Sequence, residues 1–270
     1  SATGVAVAAS ITGAGVSGAA DAVWDGGTHT TALAVGIGAG DGNDVIHTVG
    51  AITAIADATT VAVDAALTGK GVALAATAST TTAAATGIDA GAGNDFIDHT
   101  GNLTADASAS GVGVAVGLTA FGVSAATDAV WDAGTKAAAT ATGIDAGAGD
   151  DTITSTGNIL VTAEADTVAV DVALTAAGVS AALTNTSVEA QAVGIDGGDG
   201  ADSIDNRGAI TGSADATAVG VGVSLAGAGA SVSAADVWDN GISGEAVFVG
   251  IDGGSGNDTI LNSGAIVGTS

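Results

Sequence analysis

Cysteine, proline and tyrosine are missing from this 270-residue chain, and basic residues nearly so. Without cysteine there is no disulfide framework and no thiol chemistry. Without proline, every residue keeps the backbone N–H that a β-ladder needs. Only Lys70, Lys136 and Arg207 stand against 29 acids, for a net charge of −26. A nucleic-acid binder needs a basic surface to neutralise phosphate, so that class is excluded. An anionic membrane surface is excluded for the same reason. A chain this acidic stays soluble by self-repulsion and attracts cations. No run of about 20 uninterrupted apolar residues occurs, so no segment reads as membrane-inserting, and none reads as a signal peptide. Large side chains are scarce, with three Phe and three Trp. The apolar content is mostly Ala and Val, which suits a narrow interior between closely packed sheets. The 45 glycines suit many tight corners.

What is present is repetition. The segment Gly36-Ile-Gly-Ala-Gly-Asp-Gly-Asn-Asp44-Val-Ile46 returns, with small changes, at Gly87, Gly143, Gly194 and Gly250. The spacings between successive starts are 51, 56, 51 and 56, so the full period is 107. Trp24, Trp131 and Trp238 repeat at that same spacing of 107. A period on this scale marks a repeat architecture. The units are 36–86, 87–142, 143–193 and 194–249, with partial units at 1–35 and 250–270, all in one continuous array. Because the chain opens and closes within a repeat, a segment of a longer array is expected, or a subunit whose ends are completed by neighbours.

Within each unit the motif leads to a glycine corner (Gly50, Gly101, Gly157, Gly208, Gly264) and then an apolar residue (Ile52, Leu103, Ile159, Ile210, Ile266). Period-2 alternation follows, the signal of a strand. Val112, Val114, Val116 and Leu118 alternate with small residues, and the other units match. A half-buried strand would turn the valines inward and polar residues such as Asp64 and Asp171 outward. Another glycine corner follows at Gly71, Gly122, Gly178 and Gly229. The five extra residues of the longer units fall after it, in a loop with Trp24, Trp131 or Trp238 at its base. No 3.6-residue apolar period is present. The reading is all-β, a parallel β-solenoid (β-helix). A weak half-repeat, Ala192–Ile195 against Ala218–Val221, favours two coils of about 25 residues in each unit. One large flattened coil per unit is the alternative.

The motif carries the chemistry. In the form Gly253-Gly-Ser-Gly-Asn-Asp258-Thr-Ile260-Leu261 it resembles the calcium-binding nonapeptide of RTX proteins. Glycines let a loop turn its carbonyls inward, Asp supplies a carboxylate, and Ile anchors the next strand. Calcium takes six to eight oxygens, and such a loop offers several. The resemblance implies Ca2+ at Asp41, Asp44, Asp95, Asp151, Asp202 and Asp258, with a second acidic column at Asp89, Asp145, Asp196 and Asp252. That column begins with Gly38. In RTX proteins the nonapeptide runs in tandem, whereas here one copy comes per unit. The alternative is a tight corner without an ion, in which Asp caps loop N–H groups. The segments Asp258–Ile266 and Asp202–Ile210 are similar to the Asn-x-Gly-x-Ile corners of haemagglutinin-like and autotransporter-passenger β-helices. Together these resemblances imply the repeat block of a giant bacterial surface or secreted protein, in an extracellular or cell-surface setting.

β-Helix enzymes need a local, non-repeating constellation in a groove. Here the acids repeat in columns, and the three basic residues occupy different slots. His29, His47 and His99 read as scattered surface side chains. No enzyme is expected. Threonines do not recur at a fixed Thr-x-Thr slot in every unit, which argues against ice binding. The tryptophans either pack their own loops or form a lateral contact or glycan contact. The functional expectation is an extracellular structural protein, a calcium-stabilised solenoid that self-associates end to end and laterally into a fibre, stalk or surface layer. The alternative is the repeat module of an adhesin that grips a glycan or a host surface.

Overall fold

The structure, a computed structural model, describes residues 1–20, 27–128, 134–234 and 241–270. Within them the regular elements are β-strands and all strand pairings are parallel. A long sheet holds, in chain order, Ala2–Ala20, Ile52–Thr77, Leu103–Asp128, Ile159–Leu183, Ile210–Ala234 and Ile266–Thr269. A second sheet holds Thr28–Gly38, Ser79–Asp89, Thr135–Asp145, Thr186–Asp196 and Ile242–Asp252. A third, of four-residue strands, holds Val45–Thr48, Phe96–His99, Thr152–Ser155, Ser203–Asn206 and Thr259–Asn262. This is the parallel β-solenoid that the repeats predict.

The coil is larger than the half-repeat suggests. Ala58 pairs with Ala2 on one side and Ala109 on the other, so each row is a whole unit away from the next in sequence. One unit is therefore one coil, and the expectation of two coils per unit is corrected. The reason lies at the glycine corner. Gly71 has φ 127° and Gly122 φ 133°, a conformation that side-chain-bearing residues rarely adopt. These glycines reverse the chain within its own level instead of lifting it to the next. Across the reversal the Thr68 hydroxyl donates to the Val72 carbonyl at 3.0 Å, and Thr119 repeats this with Val123 at 3.0 Å. Farther from the turn, Ser17 Oγ donates to Ser10 Oγ at 2.8 Å, tying the two legs together. Ala192–Ile195 and Ala218–Val221 lie on opposite legs, not in successive turns. The longer coils take their extra residues in the return leg, between Asp128 and Thr135 for example, where the shorter coil has only Ala78 between Thr77 and Ser79. Trp24, Trp131 and Trp238 lie outside the described residues, and so does the interface expected of them.

The interior has two parts. At the motif end the three sheets enclose a core built on three columns that include Ile88, Ile97 and Leu103, each stacked on Ile or Leu in the coils above and below. Toward the reversal the two legs pinch together over a core of alanines, among them Ala66, Ala73, Ala115, Ala126 and Ala173. The gap there is narrow: a Cβ added to Gly117 would lie 2.6 Å from the Ala125 carbonyl oxygen. Side-chain direction follows from this, and it corrects the sequence-based expectation. Gly111, Gly113, Ala115 and Gly117 face inward, while Val112, Val114, Val116 and Leu118 face outward. Asp64 and Asp171 share the inward phase and are fully buried, not outward as the alternation predicted. A strand's parity is fixed along its length, so where the gap admits only small residues the large ones go outside.

Candidate functional site

The motif corners stack into a rib along one edge of the solenoid. Glycines at positive φ, such as Gly93 at 137°, turn each corner, and the Ile two residues after the motif Asp enters the core. The motif Asp residues then form a column that links one coil to the next. The Asp44 backbone N–H donates to Asp95 Oδ1 at 2.7 Å, Asp95 N–H to Asp151 Oδ1 at 2.7 Å, Asp151 N–H to Asp202 Oδ1 at 2.8 Å, and Asp202 N–H to Asp258 Oδ1 at 3.0 Å. Asp does cap loop N–H groups, but those of the neighbouring coil. Each such hydrogen bond to a carboxylate contributes about 1.5–3 kcal/mol.

The other carboxylate oxygen is treated differently. Oδ2 of Asp44, Asp95, Asp151 and Asp202 is buried without a hydrogen-bond partner. Burial pushes the Asp151 carboxyl up to about 6; the N–H of Asp95 pulls against this, while the carboxylates of Asp202, Asp95 and Asp150 add to it. Asp202 is raised for the same main reason, burial, with Asp258 foremost among the acids that add to it.

The second acidic column also forms: Asp89, Asp145, Asp196 and Asp252 sit in register on adjacent strands. Burial raises Asp145 and Asp196, and like-charged neighbours in the column add to it. Here Oδ1 serves its own turn, Asp196 accepting from Gly198 N–H at 3.1 Å and Asp252 from Gly254 N–H at 3.0 Å. Asp41 joins neither column. It stacks on Ala92, which stacks on Ala148 and then Asp199, at the exposed tip of the corner.

Among the described residues, no group of three or more His, Cys, Asp or Glu side chains is arranged to hold a metal ion. The donors that do suit a cation are the buried Oδ2 atoms, which are oxygens and anionic, the chemistry that calcium takes. In Asp95, Asp151 and Asp202 one of the two oxygens is already committed to the backbone, so each of these coils offers one such oxygen from this column.

Two further ladders escaped the sequence reading. Asn43 Oδ1 accepts from Asn94 N–H at 2.9 Å, Asn94 Oδ1 from Asp150 N–H at 3.2 Å, and Asp150 Oδ1 from Ala201 N–H at 2.9 Å. Inside the coil, Thr48, His99, Ser155 and Asn206 form a buried polar column. Thr48 Oγ1 and His99 Nδ1 are 2.8 Å apart, and Asn206 Nδ2 donates to Asn262 Oδ1 at 2.7 Å. His99 is thus not a surface histidine: it is fully buried, and burial lowers its basicity. The signal was available, because all these residues stand 12 positions after a motif start and all are polar. His29 and His47 are exposed, as expected.

Set against protein-family models, curated proteins and solved structures, the chain matches none.

Proposed function

We propose that the chain is an extracellular structural protein, a rigid β-solenoid rod that self-associates into a fibre, stalk or surface layer and is stabilised by calcium. The observation that carries the reading is the unbroken register of coil on coil. The coils repeat the same core columns and the same Asp ladder. Such a molecule transmits shape and load along its axis. Calcium is supported by the orphaned Oδ2 atoms of Asp44, Asp95, Asp151 and Asp202, with Asp258 completing the column. When bound there it would neutralise carboxylates that otherwise repel one another across each coil step. The extracellular setting is supported by the resemblance of the motif and the Asn-x-Gly-x-Ile corners to those of secreted β-rolls and β-helices.

The test is thermal unfolding followed by circular dichroism during a calcium titration, with light scattering in parallel. EGTA is expected to lower the melting temperature and calcium to restore it, since a ligand that binds only the folded state stabilises it. A melting temperature indifferent to both would remove calcium from the proposal. Electron microscopy at rising concentration is expected to show rods that join, and a uniform monomer at all concentrations would remove self-association.

A further inference from the structure

The wing between core and reversal is inside out. Its interior is Gly, Ala, Ser and Thr with Asp64 and Asp171 as exceptions, and its outgoing leg carries the large aliphatic side chains on the outer face. Four columns cross that face, passing through Val112, Val114, Val116 and Leu118 of a central coil. In the other coils the same slots hold only Val, Ile, Leu or Ala. No charged, aromatic or hydrogen-bonding side chain interrupts the four columns. The exposure is real: Leu67 is 43% exposed and Val168 38%, although both belong to internal coils. A contiguous aliphatic face is unusual on a chain of charge −26, and patches of this kind mark interaction surfaces.

We propose that this face docks a second copy of the chain, wing against wing, as two sheets pack in a β-sandwich. Five strands at about 4.8 Å and seven residues at about 3.3 Å give a face of roughly 24 by 23 Å, or about 1,100 Å² over a pair. That clears the roughly 1,000 Å² that a specific interface needs. The chemistry narrows the occupant. A glycan would need aromatic and hydrogen-bonding groups, and the four columns offer neither. An anionic lipid surface would meet Asp57, Asp106, Glu164 and Asp215, which border the face on the same outer side of the strands. A second copy supplies the same aliphatic rows at the same row spacing. With the strands of the two copies antiparallel, the acidic border of each lies past the opposite end of the other's face, on the side of Lys70. The rows then interleave about 10 Å apart sheet to sheet without the acids meeting. This names the surface for the lateral self-association proposed above, and rests on that reading.

Val114 and Val170 pair in adjacent coils near the centre of the face. The double variant Val114→Lys/Val170→Lys is expected to raise the dissociation constant at least 100-fold in sedimentation equilibrium, with the circular dichroism spectrum and melting temperature of the monomer unchanged. Lysine makes the chain less negative, so lost association would not be general charge repulsion. Thr140→Lys, on the exposed outer side of the second sheet, is expected to leave association as it is. If the lysine variant fails to fold, Val114→Thr/Val170→Thr keeps the β-branched shape and is expected to weaken association at least tenfold. A Val114/Val170 variant that folds and associates like the wild type overturns the assignment of the face while leaving self-association standing. A wild-type chain that stays monomeric at all concentrations overturns both. A monomeric wild type that binds neutral phosphatidylcholine vesicles through Val114 and Val170 replaces the second copy by a lipid surface.

Discussion

At Asp151 two forces act on one carboxylate. Oδ1 takes the N–H of Asp95 at 2.7 Å, which favours the ionised form, and burial of Oδ2 favours the protonated one. Burial wins, so the carboxyl titrates at about 6 in the fold against 3.8 unfolded. A raised pKa means that the folded state holds the proton longer. Its contribution to stability is therefore full below about pH 4 and is lost as pH rises through about 6. In EGTA the melting temperature is expected to fall across that window in a calorimetric series. His99 acts in the other direction: with its pKa lowered by burial, its contribution is full above its unfolded value of 6.5 and is lost as pH falls. The substitution Asp151→Asn separates the two. It keeps a carbonyl for the Asp95 N–H and replaces the orphan oxygen by an uncharged amide. At pH 7 in EGTA it is expected to melt higher by about 2–4 °C, the shift that about 1 kcal/mol produces in a chain of this size. The same variant is expected to gain less from added calcium than the wild type.

The strand legs raise a question of phase. Gly117 faces the return leg, and a side chain there would strike the Ala125 carbonyl, which is backbone and cannot swing aside. Gly117→Val is expected to destabilise by about 1–3 kcal/mol or more, read from urea unfolding. Val116→Thr, one residue away on the outside, is expected to change monomer stability by less than about 0.5 kcal/mol. The contrast also shows what could be read in advance. The strands, the corners and the repeat were legible, because periodicity and glycine position are local. The phase was not, because Val alternating with Gly reads alike whichever set faces in. What decides it is the distance to the facing leg, which only the reversal at Gly71 or Gly122 sets. The same holds for the rib: a capping role for Asp was legible at Asp95, but that its partner is the N–H of the adjacent coil depends on a whole unit closing as a single coil. His99 was legible by slot, since it shares the column of Thr48, Ser155 and Asn206, whereas His29 and His47 stand in other slots.

At the scale of the whole molecule, the alternation of shorter and longer coils keeps two buried carboxyls apart. Asp64 and Asp171 occupy the same inward slot in two shorter coils, and Ala115 of the longer coil stands between them. Removing residues 87–142 would stack the two buried carboxylates on adjacent rows, about 4.8 Å apart. Removing residues 87–193 deletes more of the chain but leaves Asp64 beside Gly222. The larger deletion is expected to fold with an unchanged β spectrum per residue. The smaller one is expected to melt at least several degrees lower, because two buried carboxyls would then crowd adjacent rows of the narrow interior. The permissible step is thus the pair of coils, one full period of the sequence. Reach along the axis is then set by the number of such steps, while the cross-section stays the same.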